Sequence, residues 1–396
     1  MKRLQVLLLV SLASTFLLFG CGDKQEEAEE PAVAQVIEKQ PELEETNENE
    51  NAEAEEEEAP ADDEAPPEEG MVRSTLTNEW IDGDLEKARP IAIMVPNDSS
   101  ALPHYNLSKA DILYECPVEG DITRSMAVIK DWENLDRIGN VRSCRDYFVY
   151  WAFEWDSIYL HFGGPYYINE IIERDDTDHI TGCAYGDKRT DGLYEGTFYR
   201  STDKKAPQNA YASAEGINKG IDKLGIDKSY RDGYYNADHF KFAPSKTPNT
   251  LEKYSDAIAA KEINMAAAYP VTKTSFTYNE DDGLYYRYMY GKPDVDAANN
   301  EQQLAFKNVL IQFTYHEVRD AKGYLIFQVH DTTRDGYYFT NGKGIHVTWK
   351  KNTDYDPTKF YDDDGNEIEV NTGKTMICIV EDGDSFKVDG TDLKAK

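Results

Sequence analysis

The chain runs to 396 residues and carries 75 acidic against 42 basic side chains, a net charge of −33. That length admits two or three domains. That charge excludes nucleic acid as a ready partner, because phosphate binding needs clustered cations and this chain repels polyanions at long range, although a single basic pocket is still allowed. The charge is uneven: residues 21–70 hold 21 acids and 2 basic residues, which leaves about −16 for residues 71–396. The 27 Tyr, 15 Phe and 5 Trp gather after residue 71, enough bulk for a sizeable core and, at ordinary domain sizes, two domains.

Lys2 and Arg3 precede an apolar run from Leu4 to Phe19 that ends in Leu18-Phe19-Gly20-Cys21. About 16 residues is short for a stable membrane span, so residues 1–20 read as an export signal that is removed. The alternative is a retained transmembrane helix with an incidental Cys. The Leu three places before a Cys, with Gly20 between, resembles the lipobox of bacterial lipoproteins, which makes Cys21 the lipid-bearing first residue and the membrane a partner through its anchor. From Gly22 to about Gly70 the chain is Glu, Ala, Pro, Asn and Asp without an aromatic residue. Such a stretch cannot bury enough apolar surface to offset ordering, and residues 21–84 are expected to form a disordered acidic tether.

Ile91 to Val95 is a short apolar run, expected as a buried strand. Ile112 to Glu119 and Ile122 to Ile129 flank Gly120-Asp121, which reads as a two-residue hairpin turn and would set Glu115, Glu119 and Arg124 on one face. Ile138 to Arg142 reads as a strand. Tyr147, Phe148, Tyr150, Trp151 and Trp155 then recur at helical spacing behind a capping-box pattern at Ser143 and Asp146, and Asp156 to Phe162 returns to strand. This predicts a βαβ unit with Arg142 and His161 at the carboxyl ends of its strands, where α/β sheets bind ligands. A helix is expected from Ser213 to Leu224-Gly225 and another over Leu251–Ala268. After Pro270 the pattern is aromatic and alternating, broken by Asp282-Gly283, Asn341-Gly342 and Asp364-Gly365, which predicts a β-rich second domain.

The start of the helix after Val141 is the best candidate for a ligand. Unbonded amides and the positive end of the helix dipole attract an anion, and Arg142 and Arg145 flank the same turn as Ser143, ready for bidentate bonds to phosphate or carboxylate. The competing reading is that these arginines pair with Asp146, Glu154 or the hairpin acids. Cys144 in that turn and His161 across the unit could form a nucleophile pair, against the plainer reading of an inert buried thiol. Cys116, Cys183 and Cys378 could supply a disulfide, with nothing in their spacing to choose a pair. Glu115 and Glu119 could hold Mg²⁺ beside a pyrophosphate, or simply pair with Arg124 and Lys130. No cofactor is otherwise indicated, and no phosphate loop, dinucleotide fingerprint or nucleophile elbow is present in the sequence.

Several segments resemble the YerB-like bacterial lipoproteins, a family of paired domains of unknown function: Ser108-Lys109-Ala110-Asp111-Ile112, Ile138 to Arg145, His161-Phe162-Gly163-Gly164, Phe198-Tyr199-Arg200 with Ala206 to Tyr211, Tyr337 to Gly344 with Thr348-Trp349-Lys350, and Gly373-Lys374-Thr375. The chain departs from that pattern at Cys144, Asp146, Gln208, Thr372 and Met376, where Ala, Pro, His, Pro and Trp are usual. The first departure makes Cys144 a poor nucleophile, and the third removes an acid–base group from its loop. A shorter stretch, Arg124-Ser125 followed by Arg145-Asp146 and Gly163-Gly164, is similar to the LytR-CpsA-Psr phosphotransferases, although Met126 stands where an Asp is expected. That similarity implies Arg124, Arg142 and Arg145 as phosphate clamps, Glu115 or Glu119 as Mg²⁺ ligands, and a polyprenyl-phosphate or cell-wall glycopolymer as partner.

The expected architecture is therefore a signal (1–20), a lipidated tether (21–84), an α/β domain with a mixed sheet and a βαβ unit (85–245), and a β-rich domain with a leading helix (246–396). The expected function is an extracytoplasmic, lipid-anchored envelope protein that binds an anion through Arg124, Arg142, Ser143, Arg145, His161 and Arg200. Two rivals stand beside it, a Mg²⁺-dependent phosphotransferase and a scaffold that meets another envelope protein through exposed Tyr.

Overall fold

A computed structural model describes residues 64–183 and 192–396. The expected signal, Cys21 and most of the expected tether lie outside the described residues.

The described part is built on one mixed sheet of eleven strands. In chain order these are β1 (Ile91–Pro96), β2 (Ile112–Val118), β3 (Ile122–Ile129), β4 (Ile158–His161), β5 (His179–Thr181), β6 (Ile258–Ala259), β7 (Asn308–Thr314), β8 (Thr332–Thr340), β9 (Lys343–Lys351), β10 (Lys359–Tyr361) and β11 (Thr375–Glu381). Their order across the sheet is β6-β9-β8-β7-β11-β2-β3-β1-β4-β5, with β10 on β9. The last of these strands is what makes the sheet continuous. β11 runs parallel to β2 on one side, with Ile112 opposite Thr375, and parallel to β7 on the other, with Asn308 opposite Thr375. The N-terminal half of the sheet and the strand-rich C-terminal half are thus hydrogen-bonded through it.

Both faces are covered. On one face lie α1 (Asp146–Phe153) and α2 (Asn169–Ile172), whose Phe148, Val149, Trp151 and Ile172 pack on Tyr114, Met126 and Ile377. On the other lies α3 (Ala214–Leu224) together with a seven-stranded sheet that includes Ser275–Asn279 and Leu284–Met289. Ile217, Phe276, Tyr285 and Phe386 there meet Leu113, Ile129 and Val309. β2 and β3 are buried on both sides, and outside Glu115 and the Thr123–Ser125 stretch their residues are apolar on each.

Several local expectations change. Val118 pairs with Ile122 and Cys116 with Arg124, so the hairpin loop is Glu119-Gly120-Asp121, three residues rather than two. That register sets Ile112 opposite Val128, Leu113 opposite Ala127 and Tyr114 opposite Met126, apolar against apolar on each face, and a one-residue slip reverses every side chain. Glu115 therefore points away from Arg124. Ile138–Gly139 leaves the main sheet to pair with Ala210–Ala212, and β4 instead lies parallel to β1 on one side and to β5 on the other. No helix forms over 251–268: Ile258 is held opposite Gly344, and Ile263 lies between Phe276 and Val388, so distant strand partners override local helix preference. Order also begins before residue 85. Met71–Arg73 and Trp80–Asp82 form a ribbon, the Arg73 guanidinium sits 4.0 Å over Trp80, and Leu76 between them is fully buried. Cys116 and Cys378 occupy opposite faces of the sheet, and Cys116, Cys144, Cys183 and Cys378 form no disulfide.

Candidate functional site

β1, β2, β4 and β11 all end at one edge of the sheet, and the antiparallel β3 begins there. Arg142 is fixed at this edge by its backbone. Its amide donates to the Met94 carbonyl of β1 (2.9 Å), and its carbonyl accepts from the Phe162 amide beyond β4 (2.9 Å). Arg124, in the first turn-proximal part of β3, is 6% exposed and donates Nη1 to the Ser143 carbonyl (2.9 Å), while its Nε has no acceptor among the described residues. Arg145 is 4% exposed. Its Nη1 donates to the Cys144 carbonyl (2.7 Å), its Nε to Glu119 Oε2 (2.9 Å) and its Nη2 to Glu119 Oε1.

Arg124 and Arg145 thus stand close enough to Arg142 for the three charges to act on one another, and Glu119 is the carboxylate bonded to Arg145. The consequence is electrostatic. Burial, then the charges of Arg145 and Arg142, pull the Arg124 pKa down to about 9, with Glu119 opposing. Burial alone would raise the Glu119 carboxyl, yet the Arg145 hydrogen bonds and charge, with Arg124 behind them, hold it below the usual carboxylate range. Glu119 retains 29% side-chain exposure, so the ion pair opens towards solvent on the acid's side.

The helix start itself is not the anion seat that the sequence suggests. α1 begins at Asp146, with Arg145 rather than Ser143 at the cap position and no side-chain cap. Asp146 Oδ1 accepts from the Tyr147 amide (3.1 Å) and Oδ2 accepts from Arg319, so a carboxylate of the chain already occupies the first turn. Arg319 belongs to a hairpin spanning 316–327 that lies over this corner. Its guanidinium is 4.0 Å over Tyr167, Tyr324 packs on Tyr167 at 5.2 Å, and the Arg145 guanidinium is 5.6 Å from the Tyr324 ring. Neither Arg319 nor Tyr324 was marked by sequence, because 173 residues separate Arg319 from Asp146.

The remaining candidates separate. Ser143 gives its carbonyl to Arg124 and its hydroxyl to the Phe162 carbonyl (3.3 Å). His161 is buried, with Nδ1 bonded to the Gly163 carbonyl (2.7 Å) and Nε2 to His179 Nδ1 (3.1 Å). Arg200 stands on the surface, bonded to Asn209 (2.8 Å) over the Phe162 ring at 4.9 Å.

Glu115 and Glu119 do not form the expected Mg²⁺ pair. Glu115 is fully buried on the other face, where Oε1 accepts from Thr123 (2.6 Å) and Thr274 (2.8 Å) and Oε2 from Arg287 (2.8 Å). Arg287 also pairs with Asp294, and both lie in the strand-rich half. Glu115 is thus a joint between the two halves, and Glu119 is spent on Arg145. Among the described residues no group of three His, Cys, Asp or Glu is placed to hold a metal ion.

Comparison with known proteins places this arrangement. The "Protein of unknown function (DUF3048) N-terminal domain" matches residues 76–227, and the corresponding C-terminal domain matches residues 263–377. The chain belongs to the YerB-like family. It is 28% identical over 332 residues to "Putative lipoprotein YerB" of Bacillus subtilis (strain 168), covering 82% of this chain and 91% of that protein. The crystal structure of the YerB protein from Bacillus subtilis superposes with a TM-score of 0.65 at 24% identity, covering 78% of this chain and 96% of the other, which establishes a shared fold. Within this YerB-like fold one matched segment has a structural explanation: Ser108 of Ser108-Lys109-Ala110-Asp111 bonds through its amide (2.9 Å) and hydroxyl (2.6 Å) to Asp296, another tie between the halves.

Proposed function

We propose that this YerB-like protein is held by a lipid on Cys21 at the outer face of the cell membrane and binds an anionic envelope ligand, phosphate- or carboxylate-bearing, at the Arg124–Arg142–Arg145 corner. The observation that carries the reading is Arg124: a buried guanidinium whose Nε meets no acceptor among the described residues and whose charged neighbours are two more guanidinium groups and one acid. Buried donors are ordinarily satisfied, and a buried charge ordinarily has a counter-charge. An oxyanion beside Arg124 would supply both. Glu119 is then a built-in stand-in for the ligand, exposed enough to swing out when a stronger anion arrives.

The test is native mass spectrometry of the full chain recovered from cell membranes. A phosphorylated or carboxylated species retained by the wild type and absent from Arg124→Gln supports the reading. Wild type and variant each found at the mass of the bare chain, with nothing retained by either, would remove it.

A scaffold role draws on different residues. Tyr166, Tyr315 and Val318 are 53%, 46% and 63% exposed around the 316–327 hairpin, to which Tyr166 is tied through Asp320 (3.1 Å). Cross-linking that captures a partner through these positions and fails in Val318→Asp would favour it.

A further inference from the structure

At the opposite edge of the sheet, where β2, β7 and β11 begin, lies a cavity of about 400 Å³. The backbone places two lysines in its wall. The Lys307 amide donates to the Lys374 carbonyl (2.9 Å), and Thr375 donates to the Asp111 carbonyl (3.0 Å), so the residues just ahead of three parallel strands are in register there. Gly373 takes φ +129°, and a Cβ on it would come within 2.8 Å of Lys307 Cβ; the glycine lets the lysine stem lie against the chain.

In a protein so rich in acids, the partners of these lysines are unexpected. Lys307 Nζ donates to the Asn341 side-chain oxygen (2.7 Å) and the Gly283 carbonyl (3.3 Å), and Lys374 Nζ donates to the Ser108 carbonyl. None of these acceptors is a carboxylate. Each ammonium has three donors, so three of the six are uncommitted to those partners. Burial draws both ammonium pKa values below the ordinary lysine range, and the acids nearest them, Asp282 for Lys307 and Asp111 with Glu79 for Lys374, oppose this only in part. Glu79 and Asp282 also line the cavity, as do Gln302, Leu304 and Phe306. Three of the segments that carry the family resemblance, those with Ser108, Asn341 and Gly373-Lys374, meet here, and the arginine corner uses none of them.

We propose that this cavity is a second binding site, for a small organic carboxylate whose polar body carries hydrogen-bond donors, of the size of a sugar acid or a dipeptide. The carboxylate is the missing counter-charge for Lys307 and Lys374. Glu79 and Asp282 accept from hydroxyl or ammonium donors of the same molecule and repel a second negative charge, which favours a monocarboxylate over phosphate. The volume falls within the range of ordinary small-molecule pockets.

Isothermal titration of the full chain with sodium glucuronate and with alanyl-alanine tests the proposal, with glucose and inorganic phosphate as comparisons. One of the two carboxylates should saturate, and its affinity should fall at least tenfold in Lys307→Met and Lys374→Met. Gln302→Glu keeps the test decisive should a lysine variant fail to fold: Gln302 is an exposed part of the wall, and a carboxylate there should also weaken binding at least tenfold. Saturation by neither carboxylate, equal binding in Gln302→Glu, or tighter binding of phosphate would overturn the assignment. Which of the two probes binds more tightly separates a sugar acid from a peptide.

Discussion

Glu115 sits at zero exposure with its oxygens held by Arg287, Thr123 and Thr274, and Arg287 in turn holds Asp294. Removing one member of such a cluster leaves a buried charge uncompensated. Arg287→Met should cost about 3–5 kcal/mol, read as a lower urea midpoint, whereas Arg200→Met on the surface should leave the midpoint nearly unchanged. His104 supplies a pH test at the same scale. Burial drives its pKa down to about 3, against the hydrogen bond its ring makes to the Pro96 carbonyl at 2.8 Å, so it stays neutral in the folded chain. The unfolded chain takes up a proton near pH 6.5 and the folded one does not, so its contribution is whole above that pH and is lost as pH falls towards 3. The loss amounts to at most about 5 kcal/mol at 1.36 kcal/mol per unit. His104→Gln should flatten the fall in urea midpoint between pH 6.5 and 4.

Among the elements, α3 was legible because its signals are local. Ser213 accepts from the Gly216 amide (3.1 Å) at one end, and Gly225 takes the left-handed conformation (φ +70°) at the other, where Gly225→Ala should cost about 1 kcal/mol in urea unfolding. α1 was legible in its apolar stripe and not in its first turn, since Asp146 is claimed by Arg319 from another element. The β2–β3 hairpin was legible as a hairpin, but its register depended on whether Glu119 joined the loop, and that one residue decides that Glu115 faces Arg287 and Arg124 faces Ser143. Two of the three clustered arginines, Arg142 and Arg145, could be read from one turn; their union with Arg124 and Glu119 depended on that register. Arg319→Ala should release the 316–327 hairpin from α1, raising amide exchange there by about tenfold with little change in the central strands.

At the scale of the whole molecule, the two family domains are stitched into one sheet, because β11 comes from the far end of the chain and lies between β2 and β7. A chain ending at residue 374 loses the backbone partner of both neighbours. It should show no cooperative unfolding transition in either half, where the intact protein shows one. Composition announced two domains and an aromatic core, but no local pattern could announce pairing between residues 112–118 and 375–381. The pairing of β1 with β3 and β4, within the N-terminal half, brings the arginine corner to the edge where parallel strands end, the position at which sheets of this kind bind ligands.

Whether the buried Arg124 guanidinium, whose Nε has no acceptor among the described residues, takes an external anion is tested most directly by titration of the full chain in detergent with inorganic pyrophosphate. Wild type should saturate, Arg124→Gln should lose at least tenfold in affinity, and Glu119→Gln, freed of its internal anion, should bind about tenfold more tightly. Absence of saturation in both wild type and Glu119→Gln, or equal binding by all three, would contradict it.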